Sequence, residues 1–232
     1  MTTISKNARI AGALYILFSL FAVVRLIYIP NTLLASDNPA TRASNIVAHE
    51  FLFRFGIVSE LIGAVGWIFV TLALYRLFEG VDQRLAVLMV ILGSLMVTPI
   101  FFVNSMNDVA ALLFARGADF LSVFDKAQRE AFMMLFFRLH HYIDLANEIF
   151  WGLWLVPFGL LVYKSRFLPR ILGIWLILAC FAYLAMSFTG FLWPQYEDTI
   201  WQISQPITAG ELVVALWLVI MGAKQQRREA TP

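Results

Sequence analysis

Six stretches of this chain, near residues 9–29, 54–78, 85–108, 141–163, 169–192 and 205–223, are each long and apolar enough to cross a hydrocarbon layer about 30 Å thick as a helix. A backbone in lipid has no water to bond with, so such stretches must satisfy their own N–H and C=O groups internally. The expected fold is therefore all-α: a polytopic membrane protein with six transmembrane helices, read as a single domain over 1–232. With 61% hydrophobic and 14% charged residues, the chain holds more apolar surface than a soluble domain could bury. The start, MTTISKNARIAGALYILF, has a basic flank and an apolar run with no cleavage site after it, and reads as an uncleaved first span. The single cysteine, Cys180, rules out an intrachain disulfide and any CxxC motif.

The basic residues set the expected topology. Lys6 and Arg9 precede the first span, Arg76 and Arg84 bracket the turn at 79–83, Lys164, Arg166 and Arg170 fill the next even-numbered connection, and Lys224, Arg227 and Arg228 follow the last span. All lie on one side, which the positive-inside rule makes cytoplasmic, together with both termini. Scattered over span ends, this charge forms no patch suited to nucleic acid. The short YKSRFLP turn makes spans four and five antiparallel neighbours, with Pro169 in the first turn of the fifth helix.

The extracytoplasmic connections are expected to hold short amphipathic helices. Residues 38–54 suit one capped near Thr41, and a second should start from a cap at Ser122 or Asp125. Run unbroken to Tyr163 it would be nearly 60 Å long, at about 1.5 Å per residue, so a bend is expected near 138–141. Residues 192–206 read as a loop whose Trp193, Tyr196 and Trp201 suit the headgroup level.

With that topology the polar residues of the spans converge in the outer half of the membrane: Arg25, Arg54, Glu60, Asn104, Asn107, Asp108, Arg138, His140, His141, Asp144, Asn147, Glu148 and Glu211. Ionisable groups at such depth face a protein interior or water and mark function by default. Three readings stay open. In the first, Glu60, Asn104, Asp108, Arg138, His141, Asp144, Glu148 and Glu211 line a pocket open to the outside for a small polar or cationic ligand or a lipid headgroup, with Arg25 and Arg54 balancing charge. In the second, the arginines and carboxylates form a buried ion-pair network that only holds the helices together. In the third, His140 or His141 holds a divalent metal together with Asp144, Glu148, Glu60 or Asp108, and the metal activates a hydrolytic water.

His141, Asp144 and Glu148 share a helix arc of about 60°, which favours His141 as the inward-facing histidine. The pattern is far weaker than HExxH, which is absent, as are a phosphate loop and a nucleophile elbow. No cofactor is predicted beyond the divalent metal of the third reading. Methionines in apolar helices read as filler, Pro99 and Pro157 as kinks, and the span glycines as sites of close helix approach. Besides the lipid bilayer, the expected partners are the small ligand or headgroup and, with only six helices, a second copy of the chain in a homodimer.

ATRASNI at 40–46, LFRFGIVSELI at 52–62, LALYRLF at 72–78 and above all FWGLWLVPFGLLVYKSRFLPRILG at 150–173 are similar to the uncharacterised bacterial integral membrane proteins grouped as domain of unknown function 4386. The resemblance covers nearly the whole chain. It implies a multi-helix bacterial inner-membrane protein and supplies no catalytic residue. Arg54, Glu60 and His141 lie in or beside the similar stretches.

Overall fold

A computed structural model describes residues 3–223, so the expected basic tail of Lys224, Arg227 and Arg228 lies outside the described residues. All regular structure among them is helical. Six helices are long and apolar enough to span a membrane: Thr3–Leu33, Glu50–Phe78, Gln83–Arg116, Lys126–Ser165, Arg170–Leu192 and Pro194–Ile220, numbered one to six below. Each presents large apolar side chains outward, among them Leu20, Phe69, Val103, Leu139, Phe181 and Leu212, as lipid-facing helices must. The protein is an all-α, multi-pass membrane protein.

Local chemistry explains where the helices begin and break. Asn38, not Thr41, caps the short helix Pro39–Ala48: its side chain accepts from the Thr41 N–H at 3.1 Å, and Pro39 holds the first helical position, where no donor is needed. Asp125 caps span four as expected, through a reciprocal box in which it accepts from the Gln128 N–H at 2.8 Å and Gln128 accepts from the Asp125 N–H at 3.0 Å. The bend expected at 138–141 is absent, because nothing in that segment interrupts the ladder and the helix runs unbroken from Lys126 to Leu153. The interruption falls at Trp154, where Pro157 has no N–H to offer the Leu153 carbonyl.

Residues 194–208 are helical, not a loop. A short 3-10 turn, Pro194–Tyr196, leads into Glu197–Thr208, whose first turn carries Glu197 and Asp198 at the positive end of the helix dipole. Trp193, Tyr196 and Trp201 stay exposed on it. Span one carries a π-turn at Val24–Tyr28, closed by the Ile29 N–H on the Val24 carbonyl just before Pro30. Such wide turns hold one extra residue and recur at functional sites.

The described residues cluster into two compact units. The first comprises the chain up to Leu17, Gly66–Val97 and the chain from Leu145 onward. Its helices meet at glycines: a Cβ on Gly159 would stand 2.6 Å from the Gly173 carbonyl oxygen, one on Gly152 would stand 2.9 Å from that of Cys180, and one on Gly12 would stand 2.8 Å from that of Ala215. Phe78 fills the space beside Phe158 and Phe167, with ring centroids 5.9 and 5.6 Å away. Arg166 takes a left-handed conformation (φ 57°) to turn the chain between spans four and five.

The second unit is Phe18–Val65 with Thr98–Asp144. Its apolar core gathers Ile29, Leu33, Ile46, Phe53, Ala111, Met133 and Phe137, so the short helix Pro39–Ala48 is packed through Ile46 against the spans. The Arg42 guanidinium stacks 5.7 Å from the Phe137 ring centre. At one end of the unit Glu50 accepts from Arg54 at 2.7 Å and from Arg116 at 3.1 Å.

Candidate functional site

Within the second unit, four spans each contribute polar side chains to one buried centre. Span one supplies Arg25 from its π-turn, span two Glu60, span three Asn104 and Asp108, and span four His140 and Asp144. The last two pairs are each four residues apart, so one helical turn aligns both members on one face. Arg25 is the hub. Its Nη2 lies 2.6 Å from Asp108 Oδ2 and 2.7 Å from His140 Nε2, and its Nε donates to Asp108 Oδ2 at 2.9 Å. Glu60 Oε2 stands farther off, 3.6 Å from Arg25 Nε.

Span three ties the centre to span four. Asn104 Nδ2 donates to Asp144 Oδ1 at 2.9 Å and to the His140 carbonyl at 3.2 Å, while Asn107 Nδ2 donates to Asn104 Oδ1 at 3.1 Å. These bonds orient the amide, so that Asn104 presents its donors to span four. Arg25, Glu60, Asn104, Asp108 and His140 are all buried; Asp144, at 19% side-chain exposure, is the member that reaches the surface.

The histidine tautomer follows from its neighbours. A guanidinium only donates, so the ring nitrogen facing Arg25 must offer a lone pair. The nearer ring nitrogen is Nε2, 2.7 Å from Arg25 Nη2 against 3.2 Å for Nδ1, so Nε2 is the acceptor and the proton of the neutral ring sits on Nδ1. Asp108 Oδ1 stands 3.4 Å from Nδ1, longer than a well-formed hydrogen bond. Among the described residues it has no hydrogen-bond donor, and neither has the buried Glu60 Oε2. Carboxylates outnumber the one guanidinium three to one. Ligand atoms of Glu60, Asp108 and His140 lie within 4.8 Å of one another, a two-carboxylate, one-imidazole set that could hold a metal ion. The chemistry on offer is the reception of positive charge.

Among the residues expected to form one pocket, the structure brings Arg25, Glu60, Asn104, Asp108 and Asp144 together. His140, which the helical arc made secondary, takes the inward position, and its neighbour His141 is exposed and tilted against the Tyr142 ring. Arg138 is exposed as well, and Arg54 pairs with Glu50 one turn away instead of with the buried carboxylates. Glu148 and Glu211 belong to the first unit. There Glu211 accepts from the Tyr15 hydroxyl at 2.6 Å and the Tyr183 hydroxyl at 2.8 Å. The sequence reading passed over both tyrosines. A tyrosine inside an otherwise apolar span that must share its interior with a glutamate was the available signal.

The profile of the family described as domain of unknown function (DUF4386) matches residues 10–222. Over 93 residues the sequence is 33% identical to an uncharacterised protein of Archaeoglobus fulgidus, which covers 39% of this chain and 52% of that relative. The chain thus spans about half the length of the curated relative it matches. No solved structure matches. With nearly its whole length matched by one family and six helices fit to cross a membrane, the chain belongs to the DUF4386 family of multi-pass membrane proteins.

Proposed function

We propose that this is a bacterial inner-membrane protein, with both termini cytoplasmic, that binds a small cation from the outer side at the centre built by Arg25, Glu60, Asp108, His140 and Asp144. One observation carries the reading: Glu60, Asp108 and His140 place ligand atoms within 4.8 Å of one another, and among the described residues the buried Glu60 Oε2 and Asp108 Oδ1 have no hydrogen-bond donor. A buried anion left without a donor costs several kcal/mol in general, and a bound cation removes that cost. Arg25 supplies part of the balancing charge and holds the carboxylates apart. Asp144, hydrogen-bonded by Asn104 and partly exposed, is the point of entry. The mixed oxygen and nitrogen donors fit a divalent metal ion best.

A second reading draws on the 2.6 Å contact between Arg25 and Asp108, in which the same groups form only a structural ion-pair network. Glu60 separates the two. Among the described residues its one ion pair is the long 3.6 Å contact with Arg25, so Glu60→Gln removes a cation ligand while leaving the short pair intact. The experiment is metal analysis by mass spectrometry of detergent-purified protein, together with unfolding temperatures across a manganese or zinc chloride titration. Binding is expected in wild type and in His141→Ala, and is expected to be lost in Glu60→Gln and His140→Gln, with the metal-free Glu60→Gln unfolding close to wild type. No metal and no thermal shift in wild type would leave the structural network as the better account.

A further inference from the structure

The first unit holds a polar centre of its own. Glu211 accepts both tyrosine hydroxyls, yet among the described residues no lysine, arginine or histidine pairs with it. Its surroundings are aromatic. Tyr15 meets Trp67 edge-on at 4.8 Å and stacks with Trp154 at 6.3 Å, and Trp151 stands edge-on to Tyr183 at 6.1 Å. This is a carboxylate walled by electron-rich rings, an arrangement that attracts an organic cation through charge and ring faces together.

A second, independent observation points to the same place. Asn147 is fully buried, and among the described residues neither its amide donor nor its acceptor has a partner; Ser187 is fully buried, with a hydroxyl that has no partner among them either. Both stand on helix faces that carry the aromatic rings. On span four, Asn147 shares an arc of about 60° with Trp151 and Trp154, and on span five, Ser187 lies one turn beyond Tyr183 on the same face. The two spans are clamped on either side of this stretch, Leu145 packing on Gly190 and Gly152 on Cys180 and Tyr183. An amide buried without partners is costly at each unmet group, so something with both a donor and an acceptor belongs beside it.

We infer that the first unit carries a separate binding site for a small organic ammonium with a hydrogen-bonding substituent: the ammonium sits against Glu211 and the Trp and Tyr rings, and its substituent bonds to Asn147 and Ser187. An amino alcohol has this chemistry, either free or as the headgroup of a lipid. The site does not depend on the proposed role of the Arg25 centre.

The test is equilibrium titration of detergent-purified full-length protein with ethanolamine and choline chlorides, read by tryptophan fluorescence and by unfolding temperature. Sodium chloride is the control, and a short-chain phosphatidylethanolamine in the same detergent is the lipid arm. Saturable binding is expected in wild type and in Glu60→Gln, and an affinity at least tenfold weaker in Glu211→Gln. Asn147→Leu is expected to lose binding while unfolding no earlier than wild type, since it removes two unmet groups. A response to the free amino alcohols assigns the soluble source, and a response to the phospholipid alone assigns the headgroup. Absence of any saturable response, binding unchanged in Glu211→Gln, or earlier unfolding of Asn147→Leu would overturn the inference.

Discussion

Replacing Arg25 with methionine keeps most of the side chain's length and removes its charge from the second unit. Asp108 Oδ2 would lose both its short contacts, at 2.6 and 2.9 Å, in a residue only 1% exposed. Breaking a buried pair by removing one partner costs about 3–5 kcal/mol, most of it the penalty of the charge left behind. For a chain of this size each kcal/mol moves the midpoint by about 2–4 °C, so Arg25→Met should unfold about 10 °C earlier. The double variant Arg25→Met with Asp108→Leu removes the stranded charge as well and should recover more than half of that loss. The assay is thermal unfolding in one detergent, followed by circular dichroism, with both single variants alongside. An Arg25→Met midpoint within about 2 °C of wild type would refute the claim that Asp108 depends on this guanidinium, and a double variant no better than Arg25→Met would refute the stranded-charge explanation.

Two further expectations concern the first unit. Asp82 caps the Leu85 N–H at 3.2 Å and accepts from Lys164 Nζ at 2.9 Å, and the lysine bond, then the backbone bond, hold its carboxyl below the usual aspartate range. Its stabilising contribution is therefore complete above the ordinary carboxyl value, near 3.9, and is lost as pH falls through the lower folded value; unfolding midpoints measured down to about pH 3 should show a shallower acid limb in Asp82→Asn. At Gly159, an added methyl would meet the Gly173 carbonyl oxygen at 2.6 Å and Ile177 Cγ1 at 2.8 Å, so Gly159→Ala should destabilise by about 1–3 kcal/mol in the same thermal assay, and an unchanged midpoint would mean that spans four and five can separate freely at this point.

The reach of the sequence differed from one element to the next. Apolar length located all six spans, because membrane thickness fixes it, and Asp125 could be read as a cap because the box with Gln128 is local. Neither the choice between His140 and His141 nor the pairing of Arg54 was settled by membrane depth. Adjacent residues on a helix differ by 100° at nearly equal depth, so packing against spans one and three decides which ring turns inward. Arg54 had Glu50 one turn away, and a local partner at the exposed end of a span outcompetes a buried one that must first be desolvated. The π-turn that carries Arg25 leaves no compositional mark, and the continuation of span four through 138–141 shows that length alone does not break a helix that lacks a breaking residue.

The contact between Gly159 and Gly173 also bears on how this part of the chain meets the bilayer. Each glycine offers its carbonyl oxygen to the space where the other would carry a side chain, at 2.6 and 2.5 Å from the position of a Cβ. No acyl chain can pass between backbones that close. Toward lipid, spans four and five therefore act along this stretch as one broad surface instead of two rods, and their cohesion comes from direct atomic contact, since lipid offers apolar side chains no hydrophobic incentive to leave it.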